Sequence, residues 1–176
     1  SSFMIKKIDG SIVDVLYAPL SPGEVTFAVI LSAVTRSLMI AIISIIAFYF
    51  IVEIVISNYL ILIAFTFLSS FILGATGMIA GLWAEKFDHM ATVTNFIIVP
   101  LSFLSGTFYT IDRLPYFLQM ISKANPFFYM IDGFRYSIIG KADSSIFVGL
   151  LYLSVLSIVL WGVSYMLFKK GYKIKS

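Results

Sequence analysis

Hydrophobic and polar positions divide the chain into long apolar runs separated by short charged breaks. Apolar character begins at Val25 and is interrupted by Arg36, after which Ser37 to Ser57 forms a run of about 21 residues. At 1.5 Å per residue a helix of that length crosses a hydrocarbon core of about 30 Å. Arg36 would then sit at the interface with its guanidinium reaching the headgroups, and Glu53 near the far end would do the same. Asn58 marks a tight reversal. Tyr59 to Trp83 carries no charge and predicts a second span. Glu85, Lys86, Asp88 and His89 make a polar break. Ala91 to Phe108 predicts a third span, with Pro100 as a kink, and Ile146 to Phe168 predicts a fourth. The pattern therefore predicts an all-α, polytopic membrane helix bundle with transmembrane helices at about 37–57, 59–83, 91–108 and 146–168.

Two stretches depart from this rhythm. Residues 1–24 are polar, with Ile8, Ile12, Val15 and Leu16 at helical spacing opposite Asp9 and Asp14. Pro19 and Pro22 end that pattern, because proline cannot continue a helix. The plain reading is a membrane-surface linker, and the sharper one is a short helix offered to a soluble partner. Residues 95–140 begin as a span but thread Asp112, Arg113, Lys123, Asp132 and Arg135 through apolar and aromatic residues. That segment is too apolar for water and too charged to cross lipid as a simple helix. It predicts a re-entrant helical hairpin over 110–145, dipping into one face of the membrane. Asn125-Pro126 marks the turn between its arms. Asp132 and Arg135, three apart, are placed to pair. Tyr109, Phe117, Phe127, Phe128, Tyr129, Phe134 and Tyr136 form an aromatic belt at headgroup depth.

Composition agrees: 60% of the 176 residues are hydrophobic and 12% charged, against about 45–50% apolar in soluble domains. The net charge of +3 is small, and the basic residues cluster at span ends, so they orient the chain and do not form a nucleic-acid surface. Lys6, Lys7, Arg36, Lys86, Lys169, Lys170, Lys173 and Lys175 fall on one side, and Arg113, Lys123, Arg135 and Lys141 on the other. That bias makes both termini cytoplasmic and puts the hairpin outside. Ser70, Gly74, Gly77 and Gly81 recur at three- and four-residue spacing and predict close helix packing. There is no cysteine, no phosphate-binding Gly-x-x-x-x-Gly-Lys-Ser/Thr motif and no His-Glu-x-x-His, and His89 stands alone. The reading is a transport component and not an enzyme, with no catalytic, metal or cofactor residue, powered by a separate subunit.

Residues 95–140 also resemble the signature region of type-2 ABC transporter permeases, the membrane subunits of ABC exporters. The likeness lies in Pro100-Leu101-Ser102, Ser105-Gly106-Thr107-Phe108-Tyr109, Leu114-Pro115, Asn125-Pro126 and Asp132-Gly133-Phe134-Arg135-Tyr136. Asp9-Gly10 and Leu16 to Glu24 are similar to the family's cytoplasmic coupling region. The resemblance implies six spans in the family, so the four here would be the third to sixth, with the first two absent. Within the family the chain is most similar to bacterial drug-and-lipid export permeases. It implies a bacterial inner-membrane permease that moves a lipid, glycolipid or drug outward. Its partners would be an ABC ATPase subunit that binds the ATP, a second permease copy (homodimer or pair) and membrane lipids. Lys6, Asp9, Asp14, Tyr17, Pro19, Pro22 and Glu24 would form the ATPase-coupling segment. Tyr109, Leu114, Pro115, Asn125, Pro126, Asp132, Arg135 and Tyr136 would form the outer gate. A polysaccharide-export permease and a non-transport membrane scaffold are the alternatives.

Overall fold

The computed structural model describes residues 2–51, 56–107 and 114–171. It is helical throughout, with no strand among those residues. The helices are α1 (Ser2–Ile8), α2 (Ile12–Tyr17), α3 (Pro22–Tyr49), α4 (Tyr59–Trp83), α5 (Phe87–Val93), a π-helical turn (Thr94–Ile98), α6 (Val99–Phe103), α7 (Tyr116–Ala124), α8 (Pro126–Ile139) and α9 (Ile146–Lys169). Three of them, α3, α4 and α9, are long and apolar enough to cross a membrane.

The axis of the fold is α4. Asn58 caps it by accepting a hydrogen bond from Ile61 N (3.1 Å). The helix packs against α3, α8 and α9 along its length and meets α1 at its C-terminal end. Two buried clusters lie along it. One joins Ile12 to Val25, Ile30, Val34, Met78, Leu82 and Phe168 at the α1–α2 end. The other joins Phe65 and Ile72 to Met130 and Leu153 at the α8 end. Within lipid, burial gives no gain from leaving water, so these clusters hold by close packing. The outward rows of α3 and α9, such as Ile40, Ile43, Ile158 and Met166, are exposed and suit acyl chains.

The helix carrying the first predicted span starts much earlier than Ser37. Ser21 opens α3 with a capping box: its hydroxyl accepts from Glu24 N (3.3 Å), while Glu24 Oε2 accepts from Ser21 N (2.7 Å). Pro22 supplies the preset first-turn φ. The result is a 28-residue helix in which Arg36 lies at mid-length and not at an end. Glu53 lies outside the described residues.

The third predicted span, 91–108, is broken. The helical path runs from Phe87 to Phe103 through the π turn at Thr94–Ile98, where Val99 N bonds to Thr94 O. Pro100 explains this. Its ring would clash with the carbonyl one turn back, and widening the preceding turn moves that carbonyl aside. No residue of α5, the π turn or α6 is buried. Among the described residues, this helix meets the bundle chiefly near its ends, at α4 and α8.

Candidate functional site

Two sites stand at opposite ends of α4. At one end, α7 and α8 form a helical hairpin. Pro115, exposed, precedes α7, and the Leu114 carbonyl accepts from Gln119 Nε2 (2.9 Å). Tyr116, Phe117 and Met120 on α7 are exposed. The buried Asn125 sits at the turn. Its Oδ1 accepts from Phe127 N (3.0 Å) and caps α8, while its Nδ2 donates to Leu101 O (2.6 Å) on α6. Pro126 occupies the first turn of α8. Gly140 closes the helix with φ of 75°, a left-handed value that glycine adopts without strain.

Asp132 is 1% exposed. It accepts from Asp143 N (2.7 Å), Ser144 N (2.9 Å) and Ser144 Oγ (2.6 Å), and so organises the turn between α8 and α9. The expected Asp132–Arg135 pair is the weaker contact, at 3.8 Å. Arg135 instead binds Asp143 Oδ2 (2.7 Å) through Nη1 and donates to Gly106 O (2.6 Å) through Nη2. Leu101 and Gly106 lie at the C-terminal end of the broken helix, where carbonyls lack helical partners. Asn125 and Arg135 therefore grip one helix end from opposite ends of α8. Tyr136 is half-buried beside them, and Tyr109 lies outside the described residues. Phe128 is buried against the bundle and is a packing residue, not part of an aromatic belt.

Phe65 joins this hairpin to α4. A Cβ on Gly133 would lie 2.2 Å from its ring, and one on Gly149 would lie 3.3 Å away. Only glycine at 133 leaves room for the ring. On the far side, Ser57 N (2.9 Å) and Asn58 N (3.1 Å) both donate to Ser137 O. The start of α4 is thus bonded to the end of α8.

At the other end, α1 and α2 are two helices and not one. Gly10, with φ of 76°, breaks the predicted single face. Val15 packs at the edge of the core, and the side chains of Ile8 and Leu16 lie outside the description. Lys7 Nζ donates to Leu82 O (3.0 Å) and Ala84 O (2.9 Å), the last carbonyls of α4. A cation there also complements the helix dipole. Met4 and Ile12 are buried beneath it. Lys6, Asp9, Asp14, Tyr17 and Pro19 are all exposed, Tyr17 to 85%. Pro22 is half-buried, and Glu24 is held in the capping box.

The small residues of α4 serve different ends. Gly74 marks the close approach of α3, since a Cβ there would lie 3.1 Å from Ala33 Cβ. Ser70 and Gly81 are buried. A Cβ on Gly77 would meet nothing within 4 Å, so this glycine lines open space. Sequence reasoning missed Lys7, Asp143 and Ser144 as structural anchors.

The described residues form a helical bundle with a short charged helical pair at one end and a latched hairpin at the other. The chain matches the ABC-2 type transporter family over residues 1–139, and it belongs to that family. That makes it a membrane permease subunit of an ABC transporter. It is 28% identical over 176 residues to the inner membrane transport permease YadH of Escherichia coli K12, across the whole of this chain and 69% of that protein. The protein of the same name from Shigella flexneri matches to the same extent. No solved structure matches the chain.

Proposed function

We propose that the chain is the membrane half of an ATP-driven exporter in a bacterial inner membrane, working as two copies with two ATPase subunits. Residues 1–24 form the cytoplasmic coupling segment and residues 25–176 the transmembrane domain, with both termini cytoplasmic and the hairpin on the outer side. The ATPase would bind the face made by Lys6, Asp9, Asp14 and Tyr17. The substrate would be hydrophobic or amphipathic, moved outward from the cytoplasm or inner leaflet.

The observation that carries this reading is the connection through α4. Lys7 fastens α1 to its last carbonyls, and Phe65 wedges it between α8 and α9 near its start. A push on α1 and α2 when the ATPases close on ATP would therefore travel along a stiff helix. At its other end it would act on the hairpin, which the Asn125 and Arg135 latches hold to the broken helix. A flexible loop would absorb the same displacement.

The test is purification of the complex from membranes, followed by ATP hydrolysis and transport in vesicles. The reading requires an ATP-binding subunit to copurify, and requires Asp14→Arg to leave hydrolysis running while transport stops. A chain that purifies with no ATPase, and whose loss leaves ATP-dependent export unchanged, would instead be a scaffold. Topology has its own check. Single cysteines at Lys86 and Lys123 should react with an impermeant thiol reagent from opposite sides, and labelling of both from one side would overturn the proposed orientation.

A further inference from the structure

A groove of about 330 Å³ opens on the outside of the bundle between α3, α4 and α9. Phe27 of α3, Phe67 and Phe71 of α4, and Ser157, Ile158 and Trp161 of α9 line it. Phe71 and Ser157 are buried and form its floor, while Phe27, Ile158 and Trp161 stand exposed at its rim. The Phe71 ring meets those of Phe27 (centroids 6.5 Å apart) and Phe67 (6.2 Å). Ser157 Oγ donates to Leu153 O (2.8 Å) within its own helix, so the floor asks for no polar partner. Among the described residues no charged side chain lines the groove. What fits it is hydrocarbon. A helix about 10 Å across would fill this volume in less than one turn, so the groove seats a thin chain and not another span.

One end of the groove leads to a cation. On α9, Trp161, Tyr165 and Lys169 follow one another at four-residue spacing and share a face. The Trp161 and Tyr165 rings lie 6.3 Å apart, and Lys169 Nζ stands 5.7 Å from the centre of the Tyr165 ring. Lys169 is exposed at the end of α9, and the exposed Lys170 follows it. A Cβ on Gly23 would lie 3.8 Å from the Tyr165 ring, so α3 begins beside the last turns of α9. From Ile158 to Lys169 is about 16 Å along a helix, and the hydrocarbon of one leaflet is about 15 Å deep. The row therefore runs from headgroup to midplane, with charge at the surface, aromatic rings at the interface and an apolar slot beneath.

We infer that this groove binds one anionic phospholipid, with an acyl chain on Phe71 and Ser157 and the phosphate at Lys169. An ammonium at headgroup depth attracts anionic lipid, and the slot fixes where that lipid lies. In the proposed orientation it belongs to the cytoplasmic leaflet. The inference needs α9 only as a membrane span, and it names a lipid held by the bundle, not the transported substrate.

Trp161 reports on the groove directly, because the chain has two tryptophans and Trp83→Phe leaves Trp161 as the single fluorophore. The Trp83→Phe chain is reconstituted in phosphatidylcholine vesicles with a minor fraction of phosphatidylglycerol brominated on its acyl chains, or with the same fraction of brominated phosphatidylcholine. The brominated phosphatidylglycerol should quench Trp161 as though enriched about threefold or more, the order expected of one lysine near an anionic headgroup. Lys169→Gln should remove that excess. Ser154→Leu, which adds bulk to the groove lining and keeps Lys169, should remove it too. Equal quenching by the two lipids in the parent chain would overturn the inference with no further variant needed. An excess that survives Ser154→Leu would be attraction to the helix end alone and would overturn the groove. One that survives Lys169→Gln would overturn the assignment of the charge. No quenching by either lipid would mean that protein, such as a second copy, covers the groove, and would overturn the inference as well. None of these measurements uses ATP, so their failure leaves the permease reading untouched.

Discussion

The two ends of α4 are built by opposite rules. At the hairpin end, the polar side chains are turned inward and bound to backbone: Asp132 to two N–H groups, Asn125 and Arg135 to carbonyls of the neighbouring helix. At the α1–α2 end, Lys7 does the holding, and Lys6, Asp9, Asp14 and Tyr17 are exposed. Buried polar groups satisfied in this way fix a geometry, because each would be costly to leave unpaired. Exposed charges cost little to rearrange and are available to a partner. One end keeps its own shape, and the other is made to be touched.

Substitutions should respect that division. The largest effect should come from Asp132→Leu. It removes the acceptor for two backbone N–H groups and a hydroxyl and leaves the nearby guanidinium less compensated, a loss of about 3–5 kcal/mol. Thermal unfolding in detergent measures it. Asp132→Asn, which keeps one acceptor oxygen, should lose less, and a native melting point for Asp132→Leu would mean the turn does not depend on it. Next is Gly133→Ala, which drives a methyl into the Phe65 ring and costs about 1–3 kcal/mol. A second change, Phe65→Leu, should recover part of that loss, and a double-mutant cycle with additive penalties would show that the two residues do not touch in the folded protein.

Lys7→Met should cost about 1 kcal/mol in stability, since its bonds are charge-assisted but near water. Its main effect should be functional, uncoupling hydrolysis from transport. Smallest in stability are Asp14→Arg and Pro19→Gly, each expected within about 1 kcal/mol of native. Both should nonetheless block transport while hydrolysis continues. If either lowers the melting point as far as Asp132→Leu, the contrast between a self-held end and an exposed end is wrong.

Much of this arrangement could be read from the chain. The uncharged runs at 59–83 and 146–168 coincide with α4 and α9 almost to the residue, because length and hydropathy alone decide such helices. Asn125-Pro126 and the Asp132–Arg135 neighbourhood were recognisable as special. The start of α3 was missed, although Ser21-Pro22-Gly23-Glu24 before an apolar run is a capping-box pattern. Arg36 obscured it by resembling a span boundary. What could not be read were contacts between distant residues. Nothing local tells Arg135 to reach Gly106, Lys7 to reach the end of α4, or Phe65 to require glycine at 133. Likewise Pro100 signals a disturbed helix but not whether it kinks or widens into a π turn.

The central claim is that α4 carries a displacement from the α1–α2 surface to the hairpin. The absence of cysteine allows spin labels to be placed singly, at Asp14 or at Lys123, in a complex with two copies of the chain. The distance between the paired labels is then measured with and without a non-hydrolysable ATP analogue. Nucleotide should change the distance at both positions in the native background. In Lys7→Met the change at 14 should persist and the change at 123 should vanish. A full nucleotide-dependent change at 123 in Lys7→Met would contradict the claim.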